Sequence, residues 1–215
     1  MILARRVVGP FAENSYVVGD PSTHEGALVD PGGDVEDLLA LAKKNKLRIT
    51  KILITHAHWD HVFGVAEAQR LTKAETVLPK GERGMIEHLR EQSLAFGLPV
   101  PEQPKIDTWV EEGDTVKVGE LEFRVMIVPG HSPGHAAYVC GLDALSGDTL
   151  MAGSVGRTDL PGGDMETFVD SITGKIMKLP DETRIHPGHG PSTTVGEERD
   201  TNPFVLEMMA MRGRG

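Results

Sequence analysis

Three histidines and one aspartate fall within six consecutive positions of the segment 55–61, which reads THAHWDH. Imidazole nitrogens and carboxylate oxygens are good ligands for a divalent cation such as zinc. In extended backbone, His56 and His58 point the same way because side chains alternate between two faces. Asp60 and His61 follow the bend, so they can face a second point in space. One short segment can therefore serve two metal ions.

The elements around this segment are those that place ligand sites in α/β proteins. The apolar run 52–54 predicts a buried parallel strand, and the pattern of 62–71 predicts a helix. The histidines then lie at the carboxyl end of a strand, where open α/β sheets bind their ligands. The motif is not H-E-x-x-H, which needs two histidines on one helix face. The alternative is a histidine-rich surface turn, and the order of these residues after a strand argues against it.

Three further predicted strand ends carry potential ligands. His131 lies in PGHSPGH after an apolar run, Asp148 ends the sequence SGD, and His189 lies in PGHGP. Packing alone does not explain why such residues recur at four strand ends. We therefore expect one site built from His56, His58, Asp60, His61, His131, Asp148 and His189. Five histidines and two carboxylates are the right number for two metal ions that share one bridging carboxylate.

The remaining pattern predicts two halves, each with strands followed by helices. Helical spacing is found at Val35–Lys44, where Asp34 is the expected N-cap, and again at 85–96, 165–178 and 202–211. The second half begins near residue 106 with short alternating strands. Asp30 precedes a turn, so we expect it to cap that turn or to support a ligand rather than to bind metal.

Composition limits the function classes. The chain has 215 residues and a net charge of −10, and it shows no basic stripe that would bind nucleic acid. No apolar stretch is long enough to cross a membrane, and the N-terminus does not resemble a signal peptide. The single cysteine, Cys140, excludes an internal disulfide framework, is expected to be a buried structural thiol, and fits a reducing cytoplasm. We expect a cytoplasmic monomer or homodimer with a small-molecule substrate.

The T-H-x-H-x-D-H pattern with its companion strand ends resembles the metallo-β-lactamase superfamily. That resemblance implies an α/β fold, an αββα sandwich of two mixed sheets flanked by helices, with the site at one edge. It also implies a ligand assignment: His56, His58 and His131 for one metal, Asp60, His61 and His189 for the other, and Asp148 as the bridge. Asp60 is also the expected catalytic residue. Two divalent ions are implied, with zinc expected and iron or manganese as alternatives.

More narrowly, the motifs PGHSPGH, SGD, GRTD and PGHGP resemble the glyoxalase II group. This resemblance implies hydrolysis of thioesters such as S-D-lactoylglutathione by a hydroxide held between the metals. Only a short segment follows His189, so we do not expect the helical C-terminal domain of full-length glyoxalase II and expect residues 1–215 to form one domain. Arg157 stands where the group places a basic substrate contact; pairing with Asp159 or Asp164 is the alternative. His135 and His186 are expected to be supporting or structural residues.

The sequence motifs are also compatible with other functions. A glutathione persulfide dioxygenase with one iron bound by two histidines and an aspartate has a similar GRTD loop, and a lactonase needs the same two metals. A non-catalytic metal-binding module is a third alternative, against which the complete ligand set argues. Met85, Phe96 and Leu98 could line a substrate entrance, although packing is the expected role. A serine nucleophile is not expected, because Ser154 lacks the G-x-S-x-G context.

Overall fold

Two six-stranded mixed sheets form the centre of the protein in a computed structural model that describes residues 1–212. The first sheet contains, in spatial order, β1 (Ile2–Val8), β2 (Glu13–Gly19), β3 (Glu25–Val29), β4 (Arg48–Leu53), β5 (Glu75–Pro79) and β6 (Thr108–Val110). The second contains β7 (Thr115–Val118), β8 (Leu121–Ile127), β9 (Ala136–Cys140), β10 (Asp143–Gly147), β13 (Arg184–Pro187) and β14 (Thr193–Thr194). A small ribbon pairs β11 (Leu150–Met151) with β12 (Ser154–Val155).

Each sheet contains parallel strands whose carboxyl ends precede the predicted metal ligands. In the first sheet, β3, β4, β5 and β6 run parallel, while β1 and β2 are antiparallel. In the second sheet, β10 and β13 are the parallel pair. The carboxyl ends of β4, β10 and β13 are each followed by a loop that carries predicted ligands.

Helices cover both outer faces. They are α1 (Val35–Lys44), α2 (Trp59–Val62), α3 (Val65–Thr72), α4 (Arg83–Glu87), α5 (Leu89–Ala95), α6 (Met165–Gly174), α7 (Val195–Thr201) and α8 (Pro203–Arg212), with 3-10 turns at Lys80–Glu82 and Ile176–Lys178. Within residues 1–212, every helix is too short or too polar to cross a membrane.

Side chains at alternate positions of a strand face opposite sides of the sheet, one toward the helices and the other toward the second sheet. In β2, Val17 packs with Leu38 and other residues under α1 and α3, whereas Tyr16 and Val18 face the opposite way. That inner face packs against Tyr138 and its neighbours from the second sheet. A third cluster fills the space between the second sheet and α6 and α8. The αββα sandwich expected from the sequence is confirmed.

The bounds of α1 and the N-cap position of Asp34 agree with the prediction, but several local details differ from it. Asp34 occupies the N-cap position of α1 in a left-handed conformation (φ 46°), and its carboxylate accepts from the backbone N–H of Gly9 at 3.2 Å rather than from the helix. The helix predicted at 62–71 is divided into α2 and α3 at Gly64, whose N–H donates to the carbonyl of Pro31. The segment 85–96 likewise forms two short helices. Cys140 is half-buried rather than buried.

Candidate metal centre

All seven predicted ligands lie together at one edge of the sandwich. They come from the loop after β4, the loop between β8 and β9, the end of β10 and the end of β13, which are four separate parts of the chain. His56, His58, His61, His131 and Asp148 are buried. Asp60 and His189 are half-buried and line a cavity that opens to solvent. Their side chains form two neighbouring groups, each with ligand atoms close enough to share one ion.

The first group consists of three imidazoles. The Nε2 atom of His131 lies 2.9 Å from Nδ1 of His58 and 3.2 Å from Nε2 of His56. The Nδ1 of His131 is 2.7 Å from the carbonyl oxygen of Arg157, which can only accept, so this nitrogen carries the proton. The Nε2 of His131 is therefore an unprotonated nitrogen that points into the group.

The hydrogen bonds of Thr55 determine which ring nitrogen of His56 carries the proton. The hydroxyl of Thr55 donates to Asp30 at 2.6 Å, so it accepts from Nδ1 of His56 at 3.0 Å. The Nε2 of His56 is then also unprotonated, and it faces Nε2 of His131. Two nitrogen lone pairs at this distance repel each other unless a cation lies between them. The first group therefore fits a divalent metal ion, for which neutral imidazoles are suitable ligands.

The second group combines Asp60, His61 and His189. The Oδ2 atom of Asp60 lies 3.2 Å from Nε2 of His189 and 3.9 Å from Nε2 of His61. Nδ1 of His61 donates to Asp30 at 3.0 Å, which leaves its buried Nε2 without a hydrogen-bond partner. A buried polar atom without a partner is costly, and a metal ion would satisfy it.

Asp148 lies between the two groups. Its Oδ1 is 3.4 Å from His61, and its Oδ2 is 3.6 Å from both His131 and His189. Oδ1 is buried and has no hydrogen-bond partner. A carboxylate whose oxygens lie near histidines of both groups could contact an ion in each group.

The electrostatics of the site also suit metal binding. Burial lowers the pKa of His56 well below its usual value and lowers that of His58 to about 3, so both imidazoles are neutral. Burial opposes protonation of His61 too, yet the carboxylates of Asp148 and Asp60 raise its pKa well above the usual value. The position around Nε2 of His61 thus favours positive charge, which a divalent ion supplies in place of a proton.

Supporting contacts hold the ligands in place. Asp30 accepts from the backbone N–H of Thr55 at 2.7 Å and from His61, so its predicted supporting role is confirmed. Nε2 of His135 accepts from the backbone N–H of Asp148 at 3.0 Å, which makes His135 a structural residue, as expected. At Gly188, an added Cβ would collide with the carboxylate of Asp148 and the ring of His61, so only glycine lets this loop approach so closely.

Glu82 is a buried residue of the site that the sequence did not indicate. Its Oε2 accepts from the N–H of Ala57 at 2.8 Å, and its Oε1 accepts from Ser132 at 2.7 Å and from the N–H of Gly134 at 2.6 Å. Ala57 lies between two ligands of the first group, and Ser132 follows the third. Glu82 therefore ties together the two loops that carry the three imidazoles. No motif marks this residue, because its partners are distant in sequence.

Replacing Glu82 by glutamine should weaken metal binding in the first group by about 10- to 100-fold, since loss of such supporting contacts has that effect in metal sites. The amide nitrogen would face an N–H or O–H donor, which also costs about 1–3 kcal/mol of stability. Competition with a chromophoric chelator measures the affinity, and thermal unfolding measures the stability. Glu87→Gln, at an exposed residue of α4, is the matched control. Unchanged metal affinity in the Glu82 variant would contradict the supporting role.

His186 lies outside both groups. Its Nε2 is 2.8 Å from Asp143, which also forms two hydrogen bonds with the guanidinium of Arg184 at 2.5 and 2.7 Å. The predicted structural role of His186 is therefore confirmed. Burial opposes ionisation of Asp143, but Arg184 and His186 lower its pKa below the usual value.

Asp143→Asn should lower the free energy of unfolding at pH 7 by about 1 kcal/mol, the size of a partly exposed ion pair. Because the folded-state pKa of Asp143 is depressed, its contribution is present above the unfolded pKa of about 4 and is lost as the pH falls through the folded value. The difference between wild type and variant should therefore shrink below pH ~4. Denaturant unfolding at several pH values measures this, and a constant difference would be inconsistent with the ion-pair explanation.

Arg157 forms the ion pair with Asp159 that was expected as the alternative, and its substrate contact stays a prediction. Its guanidinium forms two hydrogen bonds to Asp159, at 2.6 and 2.7 Å, and both side chains are exposed. The side chain also lines the cavity in front of the two groups. Phe96 and Leu98 line the same cavity, whereas Met85 packs against the core of the first sheet.

Comparison with known proteins agrees with this geometry. The sequence profile of the metallo-β-lactamase superfamily matches residues 8–189. Hydroxyacylglutathione hydrolase GloC of Haemophilus influenzae is 35% identical over 203 residues, which cover 92% of this chain and 95% of the relative. The solved BLEG-1 B3 metallo-β-lactamase superposes with a TM-score of 0.88 at 36% identity, covering 95% of this chain and 99% of that one. TTHA1623 in a di-iron-bound form superposes with a TM-score of 0.84 at 41% identity, covering 94% and 99%. The chain therefore belongs to the metallo-β-lactamase superfamily of metallo-hydrolases.

Proposed function

We propose that the protein is a glyoxalase II-like thioesterase that binds two divalent metal ions and hydrolyses thioesters such as S-D-lactoylglutathione. His56, His58 and His131 would hold one ion, Asp60, His61 and His189 the other, and Asp148 both. The unprotonated nitrogens of His56 and His131 that face each other, and the buried Nε2 of His61 without a partner, lie beside a solvent-open cavity, and this arrangement carries the proposal. The similarity to a hydroxyacylglutathione hydrolase supports the choice of substrate class.

Divalent metals at such a site lower the pKa of water toward ~7 and polarise a carbonyl oxygen. Asp60 is the proposed catalytic residue, because it borders the cavity and its Oδ2 is anchored by His189. In addition to binding metal, Asp60 would accept a proton from the attacking water. Addition of water to the thioester carbonyl and cleavage of the C–S bond give a carboxylate and a thiol. A thiolate leaves readily, so the chain needs no strong acid on the leaving-group side.

Zinc is the proposed metal, and iron or manganese would fit the same ligands. The similarity to a protein seen in a di-iron-bound form supports testing iron alongside zinc. A one-iron glutathione persulfide dioxygenase is the main alternative. It needs only two histidines and one aspartate, so the convergence of all seven residues favours the two-metal hydrolase. A lactonase would use the same residues on a cyclic ester.

One panel of assays separates these functions. Metal-analysed protein is supplied with S-D-lactoylglutathione, with glutathione persulfide under oxygen monitoring, and with a lactone. The proposal expects release of free thiol from the thioester and no oxygen uptake. Oxygen consumption with one iron per chain would favour the dioxygenase. Ring opening without thioester hydrolysis would favour the lactonase.

A further inference from the structure

The cavity in front of the two ligand groups has a volume of about 430 Å³. Away from the predicted ligands, its lining is largely apolar. The apolar side chains include Phe11, Trp59, Phe96, Leu98, Met151 and Leu160. These residues come from the β1–β2 loop, from the start of α2, from the end of α5 and from the segments around the β11–β12 ribbon. A largely apolar wall therefore faces the predicted metals from several directions.

The apolar wall has the buried residue Trp59 at its centre and exposed aromatic rings around it. Trp59 is buried, and its indole N–H donates to the carbonyl of Pro99 at 2.8 Å, which ties the segment next to Leu98 to α2. Phe11 packs edge-on against Trp59, with ring centroids 5.8 Å apart. Phe11 is nevertheless 49% exposed and Phe96 is 56% exposed. Large apolar side chains grouped in water at the mouth of a cavity indicate a site that binds an apolar ligand.

The polar part of the lining is poorly suited to glutathione. Among the lining residues of the described chain, Arg157 is the only lysine or arginine, and its guanidinium is already paired with Asp159. The amide N–H₂ of Gln92 is directed to the backbone carbonyls of Met85 and Ala57. Glutathione carries two carboxylates and one ammonium, which would lose water against this wall without gaining partners.

We propose that the substrate of this enzyme is a thioester with an apolar arm, an alkyl or aromatic group that lies against Phe11, Trp59 and Phe96. This inference rests on the proposed thioesterase function and narrows its substrate class. The carbonyl would sit at the predicted metals and the apolar arm would fill the cavity. The exposed rings of Phe11 and Phe96 would lose accessible surface when that arm binds.

Two series of thioesters test the proposal. In one, the acyl chain of N-acetylcysteamine thioesters grows from acetyl to octanoyl; in the other, the S-alkyl chain of acetyl thioesters grows. We expect kcat/KM to rise in at least one series by up to about fourfold per methylene, since burial of each CH₂ is worth about 0.8 kcal/mol. The best member should exceed S-D-lactoylglutathione. Flat profiles in both series, with efficient hydrolysis of S-D-lactoylglutathione, would overturn the apolar-arm proposal and leave the thioesterase intact.

Variants of the aromatic lining residues test whether this wall causes the increase of kcat/KM with chain length. Phe11→Ala and Phe96→Ala should flatten the rising series, so that kcat/KM differs less between the short-chain and long-chain thioesters than it does in wild type. Both side chains are exposed, Phe11 to 49% and Phe96 to 56%, so their truncation should not prevent folding. Phe204→Ala, at a 47% exposed phenylalanine on α8, is the matched control and should keep the wild-type slope. A slope that is unchanged in both cavity variants would contradict the proposed binding wall.

A binding measurement separates this inference from the thioesterase proposal. The thioether S-octyl-N-acetylcysteamine cannot be hydrolysed, and calorimetry can compare its binding with that of the S-methyl analogue. Tighter binding of the octyl compound, weakened in Phe96→Ala, is expected. If metal-loaded protein hydrolyses no thioester but still binds the octyl compound in this way, the thioesterase proposal fails and the apolar site stands. Equal binding of both analogues would contradict the apolar site.

Discussion

Replacement of Asp148 by asparagine is expected to lower the thioesterase kcat by about 10³-fold and to weaken metal binding in both groups. The carboxylate of Asp148 lies within 3.6 Å of ring nitrogens of His61, His131 and His189, which belong to both groups. The amide keeps the shape but removes the negative charge that two cations would share. It also places an N–H₂ group against imidazole nitrogens or the metals themselves. Loss of a single group aligned with transition-state charge costs 10²–10³-fold in other enzymes, and here metal binding is lost as well.

The measurement pairs steady-state kinetics with metal analysis of the same sample. The Asp148→Asn protein should retain fewer than two ions per chain and should need more added metal to reach its residual activity. Asp200→Asn, at an exposed aspartate of α7, is the matched control and should resemble wild type. Full activity with normal metal content in the Asp148 variant would refute the bridging assignment.

Metal removal is expected to abolish hydrolysis and to lower the melting temperature by about 10 °C or more. Without cations, unprotonated nitrogens of His56 and His131 face each other at 3.2 Å, and Nε2 of His61 and Oδ1 of Asp148 lie buried without partners. A ligand present at 1,000 times its Kd stabilises the folded state by about 4 kcal/mol. For a chain of this size, each kcal/mol corresponds to roughly 2–4 °C.

Dialysis against a strong chelator, followed by calorimetric melting and assay, measures both effects. Adding back zinc, iron or manganese should restore the melting temperature and the activity together, and the most effective ion identifies the preferred metal. The Asp148→Asn protein should show a smaller shift on chelation than wild type. Hydrolysis that persists after complete metal removal would exclude the metal-dependent mechanism.

The sequence predicted that the seven candidate residues would lie together because each follows a recognisable strand within its own segment. His56 and His58 follow the apolar end of β4, and Asp148 follows the glycine that ends β10. β10 and its parallel neighbour β13 bring Asp148 and the His189 loop to one edge of the second sheet, and packing of the two sheets places that edge beside the carboxyl end of β4. The layer architecture was expected from the family resemblance, whereas the residue pattern itself predicted only two halves with strands followed by helices.

Contacts between distant segments were not predictable. Glu82 lies outside the helical pattern at 85–96, and its partners Ala57 and Gly134 are 25 and 52 positions away. Asp34 is a favourable N-cap residue by type, but a backbone N–H from the β1–β2 turn takes its carboxylate. The apolar cavity likewise combines Phe11 with Phe96, which no single sequence window contains. All of these features depend on tertiary contacts between distant segments, which local sequence propensity does not predict.

The most direct test of the account is to titrate metal into metal-free protein while measuring thioester hydrolysis and bound metal in the same samples. If the seven residues form a two-metal hydrolytic site, activity should rise until two ions are bound per chain and then stop rising. Full activity at one bound ion per chain, or turnover in the absence of metal, would contradict the two-metal thioesterase.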